Sequence, residues 1–306
     1  MTSPPRSLAA TPLEFDRLAK IRAVVVGLAF IAVFYNELYN LQYVWLHSAD
    51  WSHGPLIPLF SIYLVHLHWD RVRRAPVRHT WAGLLLMLAG LLGYQWFLWV
   101  LPMGYPRDVM MLLCLLGVIA FLCGLPIVRY IWVPWLYLFF AIPLPKSVYF
   151  SLTDPLRRMA AVVATQLLSL FPNLDIQKVG STIEYVYQGQ SGALDVADAC
   201  SGMRSTMTLC ALGVAVAFIS NRPWWQRVIM IASCVPIAVF ANFIRVTITS
   251  VLHIFVDPKF ATGTYHTVLG LVILLVAFGV FSALGWLLNN LFVPEAETEA
   301  AAAGEA

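Results

Sequence analysis

The sequence predicts an all-α integral membrane protein with about eight transmembrane helices. Apolar residues make up 60% of the 306 residues and charged residues only 11%, whereas a soluble domain contains roughly 25% charged residues. The apolar residues are grouped in runs near the length of about 20 that a helix needs to cross a bilayer. Short loops join these runs, so the composition indicates a polytopic membrane protein rather than a soluble domain.

The eight predicted spans follow the apolar runs in chain order. They cover residues 22–42, 55–69, 81–101, 108–127, 130–145, 201–220, 228–255 and 265–292. The first run is too long for the apolar core of a cleaved signal peptide, so we expect it to remain as a span. We expect one membrane domain at 21–293, with a cytoplasmic N-terminal tail at 1–20 and an acidic, disordered cytoplasmic tail at 294–306.

Two further elements are predicted outside these spans. Residues 147–171 are interrupted by Asp154-Pro155 and by two arginines, so we expect an interfacial or re-entrant helix, with a ninth span as the alternative. Residues 177–190 combine β-branched and aromatic residues with glycine-containing turns, which predicts a small extracytoplasmic hairpin. This hairpin would lie shortly before Cys200 in the chain.

The basic residues predict the orientation of the chain. With the N-terminus in the cytoplasm, eleven Lys and Arg residues fall on the inner side and six on the outer side, as the positive-inside rule requires. The remaining two, Arg204 and Arg245, lie near or within spans. The net charge of +3 therefore reflects orientation, and we expect membrane lipid, and no nucleic acid, as a partner.

Cys200 differs from the other four cysteines because it lies beside polar residues. The others fall inside apolar runs, at positions 114, 123, 210 and 234. Cys200 begins a predicted helix on the outer side, where the helix N-terminus favours the thiolate form of a cysteine. It is either a nucleophile or a small packing residue. No cysteine spacing indicates a metal site, and nothing in the sequence requires a metal or another cofactor.

Two ionisable residues are predicted to reach the same outer depth as Cys200. Arg245 lies within the seventh predicted span and His266 begins the eighth, and ionisable groups inside a membrane are functional candidates because burying them is costly. A thiol, a guanidinium and an imidazole together suit acyl transfer through a thioester, with Arg245 on the oxyanion and His266 moving protons. The simpler alternatives are an interfacial anchor for His266 and a snorkelling side chain for Arg245.

Four further residues are candidates for substrate binding or support: Arg204, Asn242, Ser201 and His53. Arg204 lies one helical turn after Cys200, and Asn242 lies three residues before Arg245, so each shares a helix face with its neighbour. Ser201 directly follows Cys200. For His53 the alternative is a loop residue that fixes the Gly54-Pro55 turn.

Four segments occur in a characteristic order: Trp51–Pro58, Ala199–Ser205, Asn242–Val246, and His266 before an apolar helix. Together they resemble the exosortase/archaeosortase family of multipass membrane cysteine proteases. The resemblance implies that Cys200 is the nucleophile, Arg245 the oxyanion stabiliser and His266 the third active-site residue. A histidine in this third position points to the bacterial branch of the family.

The same resemblance implies a substrate class and a location. The expected partners are exported proteins with a C-terminal sorting signal, which consists of a short motif of the Pro-Glu-Pro type, a transmembrane helix and a basic cluster. The expected location is the bacterial inner membrane, with the active site towards the periplasm, and many family members accompany exopolysaccharide gene clusters. The resemblance leaves the oligomeric state open.

Two other function classes remain as alternatives. A transporter or exopolysaccharide-export component would use Arg204 and Arg245 to line an anionic pathway, with Cys200 incidental, although no repeated halves are visible in the sequence. A structural assembly factor would use the same polar residues to hold helices together.

Overall fold

A computed structural model describes residues 17–77, 80–196, 203–220, 222–261 and 263–291. Within these ranges the chain forms eleven α-helices and one three-stranded sheet. In chain order the helices are α1 (Arg17–Val33), α2 (Tyr35–His47), α3 (Leu56–Leu67), α4 (Trp69–Arg74), α5 (Trp81–Trp99), α6 (Gly104–Cys123), α7 (Leu125–Tyr137), α8 (Lys146–Leu168), α9 (Met203–Ile219), α10 (Trp224–Phe255) and α11 (Gly263–Leu291). The strands are β1 (Leu174–Val179), β2 (Thr182–Tyr187) and β3 (Gln190–Asp195).

The described helices support four to six membrane spans rather than the predicted eight. By length and composition, α5, α6, α10 and α11 can each cross a membrane, and the count rises to six if two bent helix pairs are each one span. The difference arises because several apolar runs are broken into short helices. α1 and α2 meet at an angle of 72°, and α3 and α7 contain only 12 and 13 residues, which is less than the roughly 20 residues needed.

Helix α8 takes the place of the predicted interfacial or re-entrant segment at 147–171. It runs for 23 residues with Pro155 inside it, so the Asp154-Pro155 pair does not end the helix. Three alanines of α8, at 160, 161 and 164, are fully buried. The placement of α8 along or across the membrane stays a prediction.

An antiparallel sheet of order β1-β2-β3 occupies the region predicted as a hairpin at 177–190. Both of its turns use positive φ, at Gly180 in the first and at Gln188 and Gly189 in the second, which is the backbone geometry that tight hairpin turns favour. On the buried side, Ile183 and Leu194 pack in one cluster with the alanines of α8 and with Val246 of α10. The sheet is therefore anchored on the helix that carries Arg245.

The described residues divide into two compact units, one ending at Pro145 and one beginning at Lys146. The first contains α1 to α7, and the second contains α8, the sheet and α9 to α11. The single membrane domain predicted at 21–293 includes both units. The predicted tail at 294–306 lies outside the described residues, as does most of the tail at 1–20.

In the first unit, α5 and α6 approach each other closely through glycines. A Cβ atom added to Gly90 would lie 2.7 Å from the backbone nitrogen of Cys114, and one added to Gly117 would collide with the backbone of Met87. Small residues at helix interfaces allow this backbone contact inside a membrane. The two long helices therefore form a tightly packed pair.

We expect Gly90→Ala to lower the thermal unfolding midpoint of the detergent-solubilised protein. The added methyl group meets backbone atoms that cannot rotate away, and overpacking of this kind costs about 1–3 kcal/mol. The matched control is Gly27→Ala in α1, where nothing lies within 4 Å of the added Cβ, and its midpoint should stay the same or rise. Equal midpoints for the two variants would contradict the close approach of α5 and α6.

A buried ion pair links three helices of the same unit. Glu37 of α2 is 2% exposed, accepts a hydrogen bond of 2.6 Å from the Tyr94 hydroxyl of α5, and lies 3.5 Å from Arg107 of α6. Arg107 is one of the six basic residues on the predicted outer side. The structure instead pairs it with an acidic residue inside the helix bundle, and this pairing offsets the cost of burying either charge alone.

Candidate active site

The centre of the candidate site is a contact between Arg245 of α10 and His266 of α11. Arg245 Nη2 lies 2.6 Å from His266 Nε2, and the arginine side chain is only 7% exposed. A guanidinium can only donate hydrogen bonds, so Nε2 of His266 is the acceptor. Nε2 therefore carries no proton in this arrangement, and the proton of the neutral imidazole is on Nδ1.

A third helix joins this contact through Ser205 of α9. Arg245 Nη1 donates to the Ser205 hydroxyl at 3.5 Å. The guanidinium thus spans from α9 to α11, and it is held by one group at each end. A planar fork of donors suits this geometry, because its nitrogens point in fixed directions.

The chain between α10 and α11 explains how Arg245 and His266 meet. Arg245 lies ten residues before the end of α10, whereas His266 is the fourth residue of α11. A short 3-10 helix, Pro258–Ala261, connects them, and Ala261 packs in one core cluster with Val246. The connection therefore folds back along α10, so that α11 begins beside Arg245, which agrees with the shared depth expected from the sequence.

Asn242 lies near Arg245 without a hydrogen bond to its Nε. It is 4% exposed, and with Ser205 and Arg245 it lines a cavity of about 10 Å³, which is roughly the space for one water molecule. Asn242 Oδ1 and Arg245 Nε have no hydrogen-bond partner among the described residues. Both residues line this small cavity, whose other walls are mostly Leu, Ala and Ile side chains, and Asn242 makes no hydrogen bond to the guanidinium through Oδ1.

Two positive charges act on His266. Arg204, the second residue of α9, is half-buried, and both it and Arg245 lie within electrostatic range of His266. Cations near a reacting group favour negative charge that develops during a reaction. Within the described part of the chain, no group of three His, Cys, Asp or Glu side chains is arranged to hold a metal ion.

For three of the predicted site residues, the structure describes no contact with Arg245 or His266. Cys200 and Ser201 lie outside the described residues, in the segment between β3 and α9. His53 belongs to the first unit, in the loop between α2 and α3.

The structure gives His53 a packed environment in its loop. Its side chain is 7% exposed, and its ring lies 5.8 Å from that of Trp51. Burial lowers the pKa of His53 below its usual 6.5, and backbone groups of Phe140 and Asp50 oppose this shift. The adjacent Gly54 has no room for a side chain, because the indole of Trp45 lies against it. A role for His53 in substrate binding stays a prediction.

Sequence analysis did not single out two residues that touch the Arg245 guanidinium. Ser205 is the last residue of the Ala199–Ser205 segment and directly follows Arg204. Nothing in the sequence pattern distinguished it as a partner of Arg245. Gly270 lies four residues after His266, hence on the same face of α11. This four-residue spacing from His266 was the feature of the sequence that could have identified Gly270 as a neighbour of the site.

Comparison with protein families identifies the family to which the chain belongs. The family described as transmembrane exosortase (Exosortase_EpsH) matches residues 45–283, which is 239 of the 306 residues. No curated protein and no solved structure matches the chain. The matched region includes Trp51–Pro58, Ala199–Ser205, all of α9 and α10, and the part of α11 up to residue 283. With its multiple apolar helices and this match over most of its length, the chain is a multipass membrane protein that belongs to the transmembrane exosortase family.

Proposed function

We propose that the protein is a membrane cysteine endopeptidase and transpeptidase that processes C-terminal sorting signals of exported proteins. The observation that carries this proposal is the partly buried contact of Arg245 with His266, because a guanidinium suits anion binding and an imidazole suits proton transfer. Family membership supports the general role of a membrane transpeptidase. The excess of basic residues on one predicted side supports an active site towards the periplasm of a bacterial inner membrane.

Chain connectivity supports Cys200 as the nucleophile. Cys200 lies three residues before Met203, the first residue of α9, and three residues span at most about 11 Å. Arg204 and Ser205 follow on the same helix, and Ser205 accepts a hydrogen bond from Arg245. This short connection in the chain, from Cys200 to the helix that Arg245 contacts, supports the acyl-transfer chemistry inferred from the sequence.

The first step is acylation of the thiol. The Cys200 sulfur attacks the peptide carbonyl to form a carbon–sulfur bond, and in the same step the thiol proton passes to Nε2 of His266. Because Nε2 accepts from Arg245 in the resting arrangement, the guanidinium must release it during this step. The developing oxyanion is the stronger acceptor for the Arg245 donors, so charge development on the substrate frees Nε2 at the moment it is needed.

The second step releases the cleaved segment and transfers the acyl group. The tetrahedral intermediate collapses, the carbon–nitrogen bond breaks, and His266 returns its proton to the leaving amine. A thioester on Cys200 remains. An amine or water then gives a proton to His266 and attacks the thioester carbonyl. The carbon–sulfur bond breaks, and His266 returns the proton to the sulfur, which restores the Cys200 thiol.

Trapping the thioester tests this proposal. A reporter protein with a Pro-Glu-Pro motif, a transmembrane helix and a basic cluster at its C-terminus is co-expressed with the protein. We expect a covalent adduct of the two chains that hydroxylamine cleaves, with mass spectrometry locating the bond at Cys200. Cys210→Ala, in α9, is the matched control and should form the same adduct. Processing of the reporter without any adduct at Cys200 would contradict the proposal.

A further inference from the structure

Gly270 of α11 lies directly beneath the Arg245 guanidinium. A Cβ atom added at this position would lie 3.0 Å from Arg245 Nη2, 3.1 Å from Cζ and 3.4 Å from Nε. These three atoms belong to one planar group, so the plane of the guanidinium covers the backbone of α11 at Gly270. The hydrogen of glycine is what allows this approach.

The same nitrogen that is nearest to Gly270 also contacts His266. Arg245 Nη2 lies 2.6 Å from His266 Nε2, and His266 and Gly270 are separated by four residues, which places them on one face of α11. Arg245 Nη1 is held at its other end by Ser205 of α9. The guanidinium is therefore confined by a histidine ring, a helix backbone and a hydroxyl.

Glycine at position 270 is unfavourable for the helix itself. Inside a helix, glycine is less stable than alanine because it loses more backbone freedom on folding. Gly270 lies within α11 and does not cap either end. Its presence is accounted for by the guanidinium, which lies so near that an added Cβ would make a closer contact than Cβ atoms usually make.

We propose that Gly270 is a positioning residue that sets the location of the Arg245 guanidinium relative to His266. This inference rests on the proposed function, because it assigns the position of the group that binds the oxyanion. A methyl group at 270 displaces Nη2 by a few tenths of an ångström, and the contact with His266 changes with it. The fold absorbs this change, because the displaced atoms are the end of a flexible side chain.

The matched control lies on the same helix. Gly279 also sits inside α11, and nothing lies within 4 Å of a Cβ added to it. Gly270→Ala and Gly279→Ala therefore make the same chemical change in the same element, and only the first meets the guanidinium.

Steady-state kinetics on the reporter substrate measure the effect on the reaction. We expect Gly270→Ala to lower kcat about tenfold, since misplacement of a catalytic group by about 1 Å can cost about a hundredfold. KM should stay within about twofold of the wild-type value, because the oxyanion forms only in the transition state. Gly279→Ala should leave both constants unchanged. An unchanged kcat for Gly270→Ala would overturn the positioning role.

Thermal unfolding measures the contact independently of activity. In the Arg245→Ala background the guanidinium is absent, so Gly270→Ala should raise the unfolding midpoint as much as Gly279→Ala does. With Arg245 present, Gly270→Ala should raise it less or lower it. Arg245→Leu replaces Arg245→Ala if the latter does not accumulate. If Gly270→Ala shifts the unfolding midpoint equally with and without Arg245, the contact is overturned. If the two shifts differ but the protein processes no reporter, the contact is supported and the proposed function is refuted.

Discussion

Cys200→Ala is expected to abolish processing of a reporter that carries a C-terminal sorting signal. The alanine variant lacks the sulfur that is proposed to form the thioester, and loss of a covalent nucleophile lowers kcat by about 10⁴-fold or more. The measurement is the fraction of reporter cleaved in membranes that contain the variant, compared with wild type at equal abundance of the two proteins.

The control for Cys200→Ala is the same change at Cys210, which is half-buried within α9. Cys210→Ala should process the reporter at the wild-type rate and reach the same level in the membrane. Complete processing by Cys200→Ala would refute the cysteine mechanism. Loss of processing by a variant of normal abundance would refute the purely structural role considered from the sequence.

Arg245→Lys is expected to lower kcat by about 10²–10³-fold, the effect of losing one oxyanion-binding group. Lysine keeps the positive charge, but its single ammonium group lacks the planar fork that reaches both His266 and Ser205. The buried site keeps its charge, so we expect the protein to remain folded. Steady-state kinetics on the reporter, together with the thermal unfolding midpoint, separate the catalytic effect from a loss of stability.

Arg222→Lys is the matched control for this substitution. Arg222 Nη1 donates to the backbone oxygen of Gly285 at 2.9 Å, so it too joins α11 through a guanidinium, but away from His266. Its replacement should change the unfolding midpoint without changing kcat. A kcat close to wild type for Arg245→Lys would show that charge alone suffices, and would contradict a role for the fork of donors.

The contact between Arg245 and His266 also sets an order for the proposed reaction. His266 Nε2 accepts from Arg245 in the resting arrangement, so the imidazole cannot take a proton there until the guanidinium moves or finds a better acceptor. A substrate carbonyl that gains negative charge provides that acceptor. The proposed enzyme therefore couples proton transfer to the formation of the oxyanion.

The spans show what prediction from sequence established and what it left open. High apolar content and few charges indicated a multipass membrane protein, because a soluble domain contains roughly 25% charged residues. Eight spans were predicted, and the described helices account for four to six by length and composition. An apolar run does not reveal a bend: beside the fully buried Phe34 the chain bends by 72° between α1 and α2, and no pattern in the sequence indicated this angle.

The sheet illustrates a second limit. β1 and β2 contain the β-branched and aromatic residues from which a hairpin was predicted. β3 contains none of these residues in Gln190–Asp195, so its sequence did not predict a strand. Its extended conformation depends on backbone pairing with β2 and on burial of Leu194 against α8 and α10, both of which are tertiary contacts.

The class of protein, its family, and the choice of Arg245 and His266 as unusual polar residues in apolar helices could be predicted from the amino-acid sequence. Those properties are local, since the cost of a charge in a membrane depends on the residue and its neighbours in the chain. The contacts of Arg245 required the three-dimensional structure: its guanidinium donates to His266 and to Ser205 and lies against α11 at Gly270. These contacts join three helices, and distances between helices depend on how side chains pack rather than on the spacing of residues along the chain.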